Sequence, residues 1–196
     1  TFMLDVGANA SCDTEHLYQF AVMGSVVAAN LLEKTAPTVG LLNIGTEAGK
    51  GHDEIREADE RLANSPLNYV GFVEGNALFN PVADVIVTDG FTGNVALKTI
   101  EGTATMVGHI LKTEFTRSWL SKLQGLLAQG VLRRAAAQLD PRTYNGASLV
   151  GVDGVVIKSH GSSDAVAFAT AIDTALLELA DNVPAAIRRG LTNEAA

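Results

Sequence analysis

The chain has 196 residues, of which 47% are apolar, 18% charged and 19 are glycine. That balance excludes intrinsic disorder and collagen-like repeats and leaves room for a substantial core. A net charge of −8 and a pI near 4.9 speak against a broad nucleic-acid surface. One cysteine, Cys12, excludes an intrachain disulfide and a Cys-based zinc cluster and fits a reducing compartment. The longest charge-free run, His16 to Leu32, contains Gln19, Ser25 and Asn30, so it reads as a buried helix rather than a membrane span. The first residues do not read as a basic-then-apolar leader.

Thr1-Phe2-Met3-Leu4-Asp5-Val6 has the pattern of a strand entered in mid-course, the expectation for a fragment or a chain separated from an upstream part. A Gly7-Ala8-Asn9 turn follows, then a helix from about Asp13 to Glu33 with Asp13 and Glu15 at its dipole-positive start. Residues Thr38 to Ile44 form an apolar strand and His52 to Asn64 a charged helix. Strands are expected at Asn68 to Val73 and at Ala83 to Thr88. Asp89 to Asn94 then opens a long helix with Leu97, Ile100, Ala104, Val107 and Leu111 at helical spacing. Leu149 to Ser159 reads as two strands turning through Asp153-Gly154, and a last helix from near Ser163 is expected to bury Phe168, Ile172, Leu176 and Leu179. Buried strands alternating with helices imply a mostly parallel sheet covered on both faces, one α/β domain over 1–196.

Four loops share a design in which a strand enters a glycine-rich polar turn and a helix follows. They are Asp5 to Asn9, Asn43 to Gly51, Asp89 to Asn94 and Lys158 to Asp164. In parallel sheets such loops lie beyond the carboxyl ends of the strands, where ligands bind. Glycine lets the backbone approach a ligand, and a helix N-terminus favours an anion. Ser162 and Ser163, flanked by Lys158 and His160, form a seat for phosphate or a phosphoryl group; the alternative is that Ser163 caps the helix and His160 packs in the turn. Lys98 stands one turn after Asn94 and either faces the same cleft or is a solvated lysine. Cys12, just before a helix, has a position that favours its thiolate, although a free cysteine more often packs.

Phe115 to Leu139 contains Arg117, Lys122, Arg133 and Arg134 and no acidic residue. With +4 in this segment and −8 in the whole, the remainder carries −12. Trp119, Leu120, Leu123, Leu126, Leu127, Val131, Leu132 and Leu139 give it an apolar face. A basic amphipathic hairpin, an insertion at 115–140, fits either an anionic membrane surface or a dimer contact.

The loops together resemble the bacterial PlsX family, phosphate acyltransferases of phospholipid synthesis. The matching pieces are Leu4 to Asn9 with Cys12, His16-Leu17 and Gln19 to Ser25; Gly40 to Gly45 with Glu47 and Lys50-Gly51; Asp89 to Thr99 with Glu101-Gly102; Tyr144 to Ala147; and Val156 to Asp164. The resemblance implies a three-layer α/β/α fold of the isocitrate/isopropylmalate dehydrogenase type and transfer of a fatty acyl group from acyl carrier protein to inorganic phosphate. It also implies a homodimer, no cofactor or metal, and a cytoplasmic enzyme held peripherally at the membrane, close to the acyltransferase that consumes acyl phosphate. The family's amino-terminal Asp-x-Met-Gly-Gly-Asp loop is absent here, and Asn76-Ala77 replaces a basic-acidic pair, so that loop receives no role.

On this resemblance Lys50, Asn94, Lys98 and His160 are the expected catalytic residues. Asn9, Asn43, Glu47, Asp89, Lys158, Ser162, Ser163 and Asp164 are expected to bind phosphate and substrate. Trp119, Leu123, Leu126, Leu127, Arg133 and Arg134 are expected at the membrane. Two rival readings are a dehydrogenase on the same fold and a non-catalytic module for docking or dimerisation. The first lacks an evident Asp cluster for a divalent metal.

Overall fold

The computed structural model describes residues 1–138 and 140–193. Four strands form one sheet: β1 (Phe2–Leu4), β2 (Thr38–Asn43), β3 (Asn68–Glu74) and β4 (Val85–Val87). Their order is β1-β4-β2-β3 and every pairing is parallel, with Met3 opposite Ile86 and Gly40 opposite Ile86 on the other side. The protein is therefore α/β, in keeping with three α/β/α layers.

The alternation of side chains along β2 and β4 divides the core. Val39, Leu41, Val85 and Val87 face a large cluster built with α1 (Thr14–Leu31), α2 (Asp53–Ala63) and α6 (Val183–Asn193). Leu42, Ile86, Val73 and Ala83 point to the opposite face, where Ala77 and Leu78 cover them from a short 3₁₀ turn. Helix α1 is the centre of the larger layer. Asp13 caps it by accepting the His16 N–H at 2.8 Å, and His16 Nδ1 accepts the Asp13 N–H in return at 3.3 Å. A Cβ on Gly24 would stand 2.6 Å from a Val85 methyl, so glycine allows α1 to lie directly on β4.

Three expectations change. The helix after Ser163 is α5 (Ala165–Ala180), and it leaves Phe168, Ile172, Leu176 and Leu179 exposed. It packs instead through the small Ala167 and Ala171, together with buried Glu178, because the chain at Asn145-Gly146 presses on that narrow side. Helix α6 was not anticipated; Val183 and Ile187 seal it against α1. The helical hairpin also begins earlier than 115. Its first arm is α3 (Gly90–Thr116), its turn is Arg117-Ser118, and its second arm is α4 (Trp119–Gln138). Leu139 lies outside the described residues. The two-strand turn is a short antiparallel ribbon in which β5 (Ala147–Ser148) pairs with β6 (Ile157–Lys158).

Candidate active site

Three of the glycine-rich loops leave the carboxyl edge of the sheet, from β1, β2 and β4. The first is organised by Asp5, which is only 3% exposed. Its Oδ1 accepts the N–H groups of Gly7 and Ala8 at 2.8 and 2.9 Å; its Oδ2 accepts the Asn9 N–H at 2.7 Å and the Asn9 side-chain amide at 3.0 Å. Burial alone pushes this carboxyl upward, but the hydrogen bonds from Ala8, Asn9 and Gly7 outweigh it and hold it below the ordinary range. The Asn9 amide is thus turned inward, and its backbone carbonyl accepts the Gly90 N–H at 2.8 Å.

That last bond brings the first and third loops together. A Cβ on Gly90 would come 2.5 Å from the Asn9 oxygen, and one on Gly93 would come 1.9 Å from the Asp5 carbonyl oxygen. Two glycines in the first turn of α3 therefore let the helix start against the β1 loop. Asp89 caps α3 by accepting the Thr92 N–H at 2.8 Å. The Asn94 side chain then lies over Gly7, about 3.5 Å from where a Cβ would be. It makes no hydrogen bond among the described residues, so its amide is available at the sheet edge. Lys98, one turn on, is paired with Glu101 at 2.7 Å.

Asn43 closes the second loop: its Oδ1 accepts the Ile44 N–H at 2.8 Å and its amide donates to the Lys50 carbonyl at 3.2 Å. The side chains of Glu47 and Lys50 both lie close to Gly45, and both residues are exposed. Strand β2 adjoins β4, so this loop rises beside the paired first and third loops.

The fourth loop departs from the shared design. It leaves the β5–β6 ribbon rather than the parallel sheet, because among the described residues β6 pairs with β5 alone. The α5 cap is Asp164, which accepts the Ala167 N–H at 2.9 Å, and not Ser163. The Ala167 N–H and Arg142, 3.5 Å away, hold Asp164 below the usual carboxylate range. The Ser163 hydroxyl accepts from Ser159 at 2.9 Å and donates to Asn145 Oδ1 at 3.3 Å. Ser162 Oγ is 2.8 Å from His160 Nδ1, which also accepts the Ser162 N–H at 3.2 Å. An accepting Nδ1 leaves the proton of the neutral ring on Nε2. Lys158 stands exposed on β6.

Asp5 and Asn145 lie in the segments that carry the resemblance, but their organising roles are not among those expected of the site residues. The first had a signal in Asp5-x-Gly7-x-Asn9, the spacing of a carboxylate that gathers the N–H groups ahead of it. Cys12 does not carry the activated thiolate its position invites. Burial raises its thiol above the ordinary value, the carboxylates of Asp5, Asp89 and Asp13 add to that, and its side chain packs against the large core cluster. Among the described residues no group of three or more His, Cys, Asp or Glu gathers to hold a metal. No helix among them is long and apolar enough to cross a membrane.

The profile of a family described as "Fatty acid synthesis protein" matches residues 1–186. A phosphate acyltransferase of Alkalilimnicola ehrlichii is 54% identical over 96% of this chain and 55% of its own length. Proteins of the same name from Methylococcus capsulatus and Nitrosococcus oceani are 50% and 52% identical over 98% and 93% of the chain, and 57% and 54% of their own lengths. The chain spans about half the length of the curated relatives it matches. On the match across 1–186, the chain belongs to this fatty acid synthesis family, the PlsX family.

Proposed function

We propose that the chain supplies part of the active site of an enzyme that moves a fatty acyl group from acyl carrier protein to inorganic phosphate, forming acyl phosphate for phospholipid synthesis. The observation that carries this reading is the Asp5-locked contact between the first and third loops, with Asn94 over Gly7 and the Lys50 loop alongside. The relatives' name, phosphate acyltransferase, agrees with it.

In the reaction a phosphate oxygen attacks the thioester carbonyl carbon, the C–O bond forms, and the C–S bond of the carrier breaks. The thiol leaves with the proton that phosphate gives up. The side chains needed are an anion seat, donors for the oxyanion and a proton relay. Ser162, Ser163 and Lys158 form the seat with the backbone of their turn. Lys50, Lys98 and the Asn94 amide stabilise the negative charge, Lys98 after leaving Glu101. His160 relays the proton. Asn9, Asn43, Glu47, Asp89 and Asp164 shape the loops that hold both substrates. A covalent acyl group on Cys12 is unnecessary, and the raised thiol argues against it.

The test is phosphate-dependent acyl phosphate formation from acyl carrier protein by the full natural polypeptide carrying these residues. Lys50→Met and Lys98→Met, each keeping the stem, are expected to lower kcat/KM at least tenfold, about 1.4 kcal/mol. Wild-type kcat/KM in both folded variants would make them solvated lysines and overturn the roles assigned. Binding of a nicotinamide cofactor would instead favour the dehydrogenase reading.

The hairpin supports a second part of the proposal: peripheral attachment of a cytoplasmic homodimer to anionic membrane, next to the acyltransferase that uses acyl phosphate. Helix α4 meets α3 along Ser121, Gly125, Ala128 and Leu132, the less exposed positions at helical spacing. Trp119, Leu123, Leu126 and Leu127 occupy the other side, with Trp119 78% and Leu127 80% exposed. Arg133 and Arg134, also exposed, add up to about 1 kcal/mol each at an anionic surface.

A further inference from the structure

We infer that Asn145 is a positioning residue for anion binding by the turn from Lys158 to Asp164, an inference that rests on the reading of that turn as the phosphate seat. One carboxamide here uses both its donor and its acceptor ends. Its Oδ1 accepts the His160 N–H at 3.0 Å and the Ser163 hydroxyl at 3.3 Å. Its Nδ2 donates to Ser159 Oγ at 2.9 Å and to the Ala167 carbonyl at 2.7 Å. The start of the turn, its end and the first turn of α5 are thereby tied to a residue 14 or more positions earlier in the chain.

The residue is itself held from behind. Gly146 has φ +114°, and a Cβ there would lie 2.9 Å from the Ala171 Cα, so the backbone beside Asn145 is pressed onto α5. The carboxamide therefore works from a fixed base. It draws the Ser163 hydroxyl inward, so Ser163 serves the seat through the turn it shapes, while the Ser162–His160 pair stays at the surface.

The chemistry also selects an amide over an acid. A carboxylate at this position would accept from His160 and Ser163 but could not donate to Ser159 or to Ala167. It would in addition set a negative charge within the turn, on the approach of an anion. Neutrality and two-sided hydrogen bonding are both required, and asparagine supplies them.

The experiment measures steady-state kinetics of the full natural polypeptide with inorganic phosphate and acyl carrier protein thioester varied separately, alongside the rise in Tm caused by inorganic phosphate. Asn145→Ala, which loses all four hydrogen bonds, and Asn145→Asp, which loses the two that the amide donates, are expected to raise the phosphate KM about tenfold or more and to reduce the phosphate-induced rise in Tm. The thioester KM is expected to stay within about twofold. A merely structural Asn145 would lower Tm without phosphate and leave the phosphate KM unchanged, and that result overturns the inference. The aspartate variant keeps the side-chain shape and two of the hydrogen bonds, so it reports even where alanine fails to fold. The double variant Ser162→Ala, Ser163→Ala is the control for the underlying reading. If it leaves phosphate saturation unchanged, the seat is elsewhere and the inference falls with it. If it raises the phosphate KM while both Asn145 variants do not, the seat stands and the inference alone is wrong.

Discussion

Helices α1 and α4 are similar in length, 18 and 20 residues, and both are rich in apolar side chains, yet they end in opposite environments. Nine residues of α1 are buried, among them Leu17, Ala21 and Ala28. In α4 the tryptophan and most of the leucines face outward, and the side that meets α3 is made of smaller groups. Apolar content does not decide burial; the number of surfaces available to cover it does. Helix α1 lies between the sheet, α2 and α6, whereas α4 has α3 as its neighbour. The first helix spends its apolar surface on folding, and the second leaves it exposed.

The hardest test of this contrast is at the clamp where α3 starts. Gly93→Ala puts a methyl 1.9 Å from the Asp5 carbonyl oxygen, which is backbone and cannot turn aside. The expected loss is about 3 kcal/mol or more in urea unfolding; a near-neutral result would mean that the loops are not locked. Next comes a matched pair. Leu17→Ala, at 1% exposure, is expected to cost about 3 kcal/mol. Leu126→Ala, at 65% exposure, is expected to change stability by no more than about 0.5 kcal/mol. Equal losses would erase the distinction between the two helices.

A smaller effect is expected at the amino ends of β2 and β4, where Asp84 accepts from Lys34 and from the N–H and hydroxyl of Thr38. Lys34 and the Thr38 N–H lower its pKa to about 2. A folded value below the unfolded one, near 3.9, contributes stability above about pH 4 that is lost as pH falls toward 2. Urea midpoints from pH 5 to 2 should fall along that window and fall less in Asp84→Asn; parallel curves would remove Asp84 as a cause. The smallest effect on folding is predicted for Leu126→Glu with Leu127→Glu. Stability should be almost unchanged, while co-sedimentation with anionic vesicles weakens and that of the wild type drops with added salt. Vesicle binding indifferent to charge and salt would leave this face to protein contacts.

The strands and the alternation of sheet and helix are legible because buried β segments such as Thr38 to Asn43 carry apolar runs with a proline just before and a glycine-rich turn after. The site loops were legible as types: Asp89 and Asn94 appear where a strand becomes a helix. What the pattern hides is partnership. Nothing in the spacing of Phe168, Ile172, Leu176 and Leu179 tells which side of α5 meets the rest of the chain, and here the alanine side does. The fourth loop reads like the others because all four have the same local grammar. Its ribbon and its dependence on Asn145 come from pairing across the chain, which period and composition do not encode.

Helix α3 runs unbroken for 27 residues from the sheet edge to the hairpin turn, about 40 Å at 1.5 Å per residue. It therefore acts as a ruler that also keeps phase. Inserting two residues midway would turn the far end by roughly 200° and send α4's leucines to the opposite side of the molecule; inserting seven would nearly restore the direction and lengthen the arm by about 10 Å. Reach and bearing can thus be varied separately by choosing the number of residues added. The clamp at Gly90 and Gly93 supplies the fixed origin from which both are measured.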